Sequence, residues 1–231
     1  MISTHDAKTI YTLTLKFWTE HAKSREFREL AKGKEIGHRI ADYVDDTTTR
    51  MLAESLTIGH QLKGGNKLAR SMGDFWIKSE GIWNPVNIKA GEMGKNGQPN
   101  IVSLQKLLDC ILKQQINAYY LLVIKFDMRN IDPLPNVFFF DILDYLDYVT
   151  YDSGPGQMML KEQELYGALN AQVDIPDIPL PEKVEHLILL LRDGYNRLLR
   201  NREKRMSQTE TKYAKFTTSI HTINQVGLEI G

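Results

Sequence analysis

Asp74 stands just ahead of the apolar run Phe75-Trp76-Ile77, and the next run, Val86-Asn87-Ile88-Lys89, carries an amide and a lysine two residues apart. Residues two apart in a strand share one face of a sheet, so Asn87 and Lys89 project together. If the two runs pair as a hairpin, Asp74 reaches that face as well. An acid, an amide and a lysine grouped in this way match the demands of phosphodiester hydrolysis. That reaction needs a divalent cation to neutralise developing charge and a group that orients or deprotonates the attacking water. Carboxylate and amide oxygens suit magnesium, and lysine suits the water and the phosphate. An acid followed at a distance by an x-Lys pair also occurs on solvated hairpins that do no chemistry, so the surrounding elements must decide.

Those elements are legible in outline. Between Thr9 and Phe27 the residues Ile10, Leu13, Phe17 and Trp18 recur at helical spacing, in a helix expected to run towards Lys23, and a second helix follows Gly33 to about Leu56 through Ile36, Ile40, Tyr43 and Val44. Gly59 to Gly73 is rich in glycine and lysine and is expected to be a loop. The Asp74 and Lys89 segments form two neighbouring strands, with Pro85 near the start of the second. Gly91 to Asn100 is again Gly/Asn/Lys-rich, and helical periodicity resumes over Ile101 to Gln115. Tyr119 to Phe126 and Val137 to Ile142 suit buried strands. A Pro-punctuated connector, 175–181, leads into a helix from Glu182 to about Arg205 that packs through Val184, Leu187, Leu190 and Leu191. This order argues for an α/β architecture, a mixed central β-sheet flanked by helices with helical additions at both ends, in a single domain over 1–231. The additions include a C-terminal helix and tail, 182–231.

Composition narrows the classes further. With 29 basic and 29 acidic residues the formal net charge is zero, so any nucleic-acid surface must be local. Lys63, Lys67 and Arg70 in one loop, and the cluster Arg197, Arg200, Arg202, Lys204 and Arg205, are candidates for it. The second cluster equally fits an exposed helix end, where cations suit the dipole. The lone Cys110, in an apolar stretch, excludes a disulfide framework and is expected to be buried and inert. The six histidines are scattered, which argues against zinc. Asp141, Asp144 and Asp147 recur every three residues and are expected to mark the wet side of an amphipathic element. No apolar run reaches bilayer length, so no membrane association and a cytoplasmic location are expected.

The acid, the x-Lys pair and the glycine-rich loop leading into a helix resemble the PD-(D/E)xK superfamily, and within it the type II restriction endonucleases. Asp74 matches the first acid and Lys89 the lysine, while the second acid is replaced by Asn87. The stretch Gly97-Gln98-Pro99-Asn100-Ile101-Val102-Ser103 and the helix after it are similar to the HincII/EcoRV-like branch, and the likeness spans roughly 33–165, the expected catalytic core. The resemblance implies a restriction-endonuclease-like fold and a Mg2+-dependent enzyme that cuts double-stranded DNA at a specific site. It also implies a homodimer and a cognate DNA methyltransferase acting on the same site. Asp74 and Asn87 would then hold the metal, and Glu35 corresponds to a helical acid near the active site. Lys95, Asn96, Gln98, Asn100, Lys63 and Lys67 become candidates for DNA contact, with Gln98 and Asn100 as base readers. On the residues alone, Glu35 also suits a helix start, and Asn100 and Ser103 suit turns or caps. Asn87 leaves two alternatives open: a nuclease-fold protein that binds DNA with little or no cleavage, and a repair or recombination nuclease.

Overall fold

In the computed structural model the described residues are 2–32, 38–56, 60–62, 72–95, 98–129, 134–152, 154, 156–171 and 178–228, with side chains for all of these except 38, 60–62 and 219–228. The amphipathic N-terminal segment forms two helices, not one. Helix α1 (Thr4–His21) is capped by Ser3, whose hydroxyl accepts from Asp6 N–H, and α2 (Arg25–Ala31) is capped by Ser24, whose hydroxyl accepts from Phe27 N–H. The helix expected to run towards Lys23 ends at His21, and Ser24, in extended backbone, supplies the N-cap of a second one. Helix α3 follows (His38–Ser55), and strand β1 (His60–Leu62) lies in the segment expected to be loop throughout.

Strands β2 (Phe75–Ser79) and β3 (Ile82–Glu92) pair antiparallel with Phe75 opposite Val86, which is the hairpin expected from the sequence. Next come β4 (Asn100–Ser103) and α4 (Leu104–Leu112). The helix expected from Ile101 therefore starts late, because Asn100 to Ser103 finds a strand partner and Ser103 then caps α4 by accepting from Lys106 N–H. Strands β5 (Tyr120–Phe126) and β6 (Pro135–Asp141) fulfil the two apolar runs. Beyond them lie β7 (Val149–Asp152), β8 (Gln157–Leu160), α5 (Glu162–Asn170) and a long α6 (Leu180–Leu228).

The architecture is mixed α/β. A five-stranded sheet has the order β1-β2-β3-β5-β6, with β3 and β5 parallel and the other neighbours antiparallel, and β4, β8 and β7 form a second sheet. Parallel neighbours need a crossover, supplied here by the segment containing β4 and α4. The buried Asn84 sets where β5 begins, since its Oδ1 accepts from both Asn117 and Ala118 N–H at 2.9 Å.

Alternation along the strands divides the core into two. Phe75, Ile77, Val86, Ile88, Leu122 and Ile124 face the N-terminal helices, where Trp18, Phe27 and Phe126 meet edge-on or tilted with centroids 5.0–5.4 Å apart. Trp76, Leu121 and Val123 face the other way, against α4, the small sheet and the start of α6. Asn87 and Lys89 share the parity of this second face. No helix among the described residues is long and apolar enough to cross a membrane.

The first half of α6 docks through Leu187 and through Gly194, which lies flat on the Tyr151 ring while Arg197 Nη2 donates to Tyr151 O at 3.2 Å. A Cβ at Gly194 would sit 1.7 Å from Tyr151 Cδ1, so α6 cannot keep its seat with any larger residue there. Gly194→Ala should lower unfolding stability by roughly 1–3 kcal/mol, the usual range for overpacking. An unchanged urea midpoint would show that the helix docks elsewhere.

Candidate functional site

The site is assembled at the open end of the β2–β3 hairpin. Gly73 lets the chain approach β3 closely, since a Cβ there would lie 2.8 Å from Pro85 Cβ and 3.0 Å from Val86 O. Asp74 N–H then donates to Val86 O at 2.8 Å, and Ile88 N–H donates to Asp74 Oδ2 at 2.9 Å. The Asp74 carboxylate thus lies against the β3 backbone at Ile88, between Asn87 and Lys89. The structure therefore sets Asn87 and Lys89 on one face of β3 and brings the Asp74 carboxylate to the backbone between them. Asp74 and Lys89 are half-buried and Asn87 is 8% exposed. Lys89 makes no hydrogen bond or ion pair with a described residue.

Asn87 is held by two acceptors. Its Nδ2 donates to Ile101 O at 3.3 Å and to the Tyr119 hydroxyl at 3.1 Å, and that hydroxyl donates in turn to Met72 O. Because a backbone carbonyl can only accept, the amide nitrogen must face Ile101, and this fixes the direction of Oδ1. Oδ1 is buried and accepts from no described donor. An orphaned carbonyl oxygen costs stability unless something satisfies it, and a hard cation is one such partner. Asp74 and Asn87 thus fit a magnesium ion as one carboxylate and one amide ligand. Among the described residues no three His, Cys, Asp or Glu side chains gather as a metal-binding group.

Burial pushes the Tyr119 phenol well above the ordinary tyrosine range; the Asn87 hydrogen bond opposes this and the Asp74 charge adds to it. The hydroxyl therefore stays protonated and keeps donating to Met72 O. No family model matches the chain, and no curated protein is significantly similar to it. The chemistry of the site must be argued from its own residues.

Of the other candidates, Lys95 is exposed with its ammonium 3.1 Å from Glu92 Oε2. Gln98 is exposed, and Asn100 is exposed at the start of β4, opposite Met159. Glu35, Lys63, Lys67 and Asn96 lie outside the described residues. Cys110 is buried, with its Sγ 3.5 Å from Met72 Sδ, and burial raises its thiol pKa.

Three neighbouring residues on this side of the sheet escape sequence reasoning. Lys125 is 5% exposed on the same sheet face, opposite Gly91, where its Nζ donates to Lys95 O at 3.0 Å. It also lies 3.6 Å from Glu162 Oε1 and over the Tyr166 ring at 4.4 Å. Burial lowers its pKa while Glu162 works against that shift. Lys125 thereby ties the start of the Gly/Asn/Lys-rich loop to the sheet, a role no local pattern announces. Glu162 and Tyr166 carry a weak signal, the helical i,i+4 spacing that lets the Tyr166 hydroxyl donate to Glu162 Oε1 at 3.1 Å.

Asp141 corrects a second expectation. Asp147 is exposed as expected, but Asp141 is buried, and Asp144 is engaged by the Lys183 ammonium. Asp141 Oδ1 accepts from Tyr119 N–H and Leu143 N–H, both at 3.0 Å, so it caps a short 3-10 turn and anchors the entry of β5. An Asp at the end of an apolar strand is a capping signal in its own right. Burial raises its pKa to about 7, the backbone donors resist that rise, and Asp144 adds to it. A folded pKa above the unfolded one means that the folded state binds the extra proton. The stability contributed is complete below about pH 4 and lost as pH climbs through about 7. Asp141→Asn keeps an acceptor oxygen and removes the titration. Unfolding stability from urea titrations should therefore fall less between pH 5 and pH 8 in this variant than in the parent, by roughly 1–3 kcal/mol. Parallel pH profiles would show that Asp141 ionises normally.

Proposed function

We propose that the chain is a Mg2+-dependent endonuclease of double-stranded DNA with a restriction-endonuclease-like fold. The observation that carries this reading is the return of the Asp74 carboxylate to β3, where its Oδ2 accepts from Ile88 N–H between Asn87 and Lys89, two residues that share one face. Asp74 and Asn87 would hold the cation, which when bound neutralises charge on the scissile phosphate and acidifies a water. Lys89 supplies a mobile point charge that orients the attacking water and accompanies the phosphate. The Asn87 amide, pinned by Ile101 and Tyr119, keeps Oδ1 in one direction and so needs little reorganisation. Lys95, Gln98 and Asn100, exposed beyond Lys89, are the residues we assign to the DNA. Site specificity, a homodimer and a companion methyltransferase belong to the same proposal.

Asn87 also supports a second reading, a DNA-binding protein of the same fold with weak or absent cleavage. A neutral amide brings one negative charge fewer to the metal than the carboxylate it replaces. The two readings separate in a plasmid digest with magnesium. The nuclease reading expects discrete fragments that disappear on chelation, and a loss of at least about 100-fold for Lys89→Ala, the scale of removing one electrostatic group. DNA retention without cutting by the parent chain, with activity appearing in Asn87→Asp, would favour the binding protein. If neither the parent nor Asn87→Asp binds or cuts a diverse set of duplexes, both readings fail.

A further inference from the structure

We propose that the C-terminal half of α6 is a parallel two-stranded coiled coil that joins two copies of this chain. Past Arg197, the last α6 residue bonded to Tyr151, the helix leaves the body, and residues 199–216 are exposed throughout. Yet this stretch is not uniformly polar. Leu199, Met206, Tyr213 and Phe216 are 56%, 63%, 67% and 61% exposed.

Their spacing is specific. Leu199, Met206 and Tyr213 recur every seven residues, as the a positions of a heptad do, and Phe216 takes the d position that follows. The sequence continues the pattern with Ile220 and Ile223. A repeat of seven drifts little on a supercoiled helix, whereas packing against a globular surface follows the period of 3.6. A projecting helix of some thirty residues, about 45 Å long, also draws little stability from its own hydrogen bonds in water and depends on burial of its apolar stripe.

The flanking charges choose the occupant and its direction. Glu203 and Glu210 fall at e, whereas Arg205 and Lys212 fall at g. In a parallel pair each g faces the e of the next heptad on the other strand, so Arg205 meets Glu210 of the second copy, twice by symmetry. In an antiparallel pair e faces e and g faces g, which sets acid against acid and base against base. A second copy of the chain, running the same way, therefore fits this stripe. Two d positions, Arg202 and Thr209, are polar and cost the seam stability, so the a residues with Phe216 carry it. Parallel strands carry both α/β bodies at the same end of the coil. Nothing in this seam depends on nuclease chemistry.

Sedimentation velocity of the full chain without DNA tests it. The parent should run as a dimer at micromolar concentration, and Met206→Glu with Tyr213→Glu as a monomer whose near-ultraviolet circular dichroism retains the signal of the body. Tyr213→Cys, with Cys110 left in its buried place, should form disulfide-linked dimers under mild oxidation, since equal a positions meet only in a parallel coil. A monomeric parent, a dimer that survives the double substitution, or a Tyr213→Cys chain that does not cross-link would overturn the proposal. DNA cleavage plays no part in these readouts, so a failed coiled coil and a failed cleavage reading remain distinguishable, the homodimer being the one point the two share.

Discussion

A phenol buried beyond the reach of water must find its hydrogen bonds inside the protein, and Tyr119 finds them on three separate pieces of chain. Its hydroxyl donates to Met72 O and accepts from Asn87 Nδ2, while its backbone N–H is taken by Asp141. Met72 lies just before Gly73 and Asp74, and Asn87 is in the middle of β3. One side chain at the head of β5 thus fixes both halves of the Asp74 and Asn87 pair. Losing either partner would strand a buried polar atom, which typically costs about 1–3 kcal/mol. That asymmetry makes the arrangement specific as well as stable.

The face on which this happens is unusual for a central sheet. Leu121 and Val123 are apolar as expected, but Asn87, Lys89 and Lys125 share their side of the sheet. Each buried polar side chain there is tied to a backbone carbonyl or an opposite charge. Asn87 reaches Ile101 O, and Lys125 reaches Lys95 O and Glu162. The ties bind the sheet to β4, to the chain after β3 and to α5. On this face Asn87 Oδ1 and the Lys89 ammonium lack a protein partner among the described residues, and Asp74 reaches the same place. Unsatisfied polar atoms collected at one place are where a fold stores chemistry rather than stability.

Electrostatics elsewhere reinforces the framework. Asp141 caps the turn after β6 and holds the start of β5, and Lys183 at the start of α6 engages Asp144 beside it. The long helix is therefore anchored near the same strand ends that set up the site. Its docking ends abruptly after Gly194 and Arg197, where the small sheet stops offering a surface. Beyond that point the exposed stripe of α6 obeys a different repeat.

Local pattern determined much of this protein. The β2–β3 hairpin, the buried strands β5 and β6, the shared face of Asn87 and Lys89, and a helix after the connector all follow from periodicity and turn residues, which act over a few neighbours in sequence. Strands β4, β7 and β8 were not legible in that way, because four-residue strands carry little periodicity and exist only through their partners. The same reason hid Asp141, Lys125 and Tyr119. Their types are ordinary, and their roles come from contacts with residues far along the chain, Tyr119 with Met72 and Lys125 with Lys95 and Glu162. The sequence by itself could name the acid, the amide and the lysine. Only tertiary structure, by closing long-range hydrogen bonds around buried polar groups, could decide that Asp74 returns to β3 beside the other two and that the Asn87 oxygen is left without a donor among the described residues.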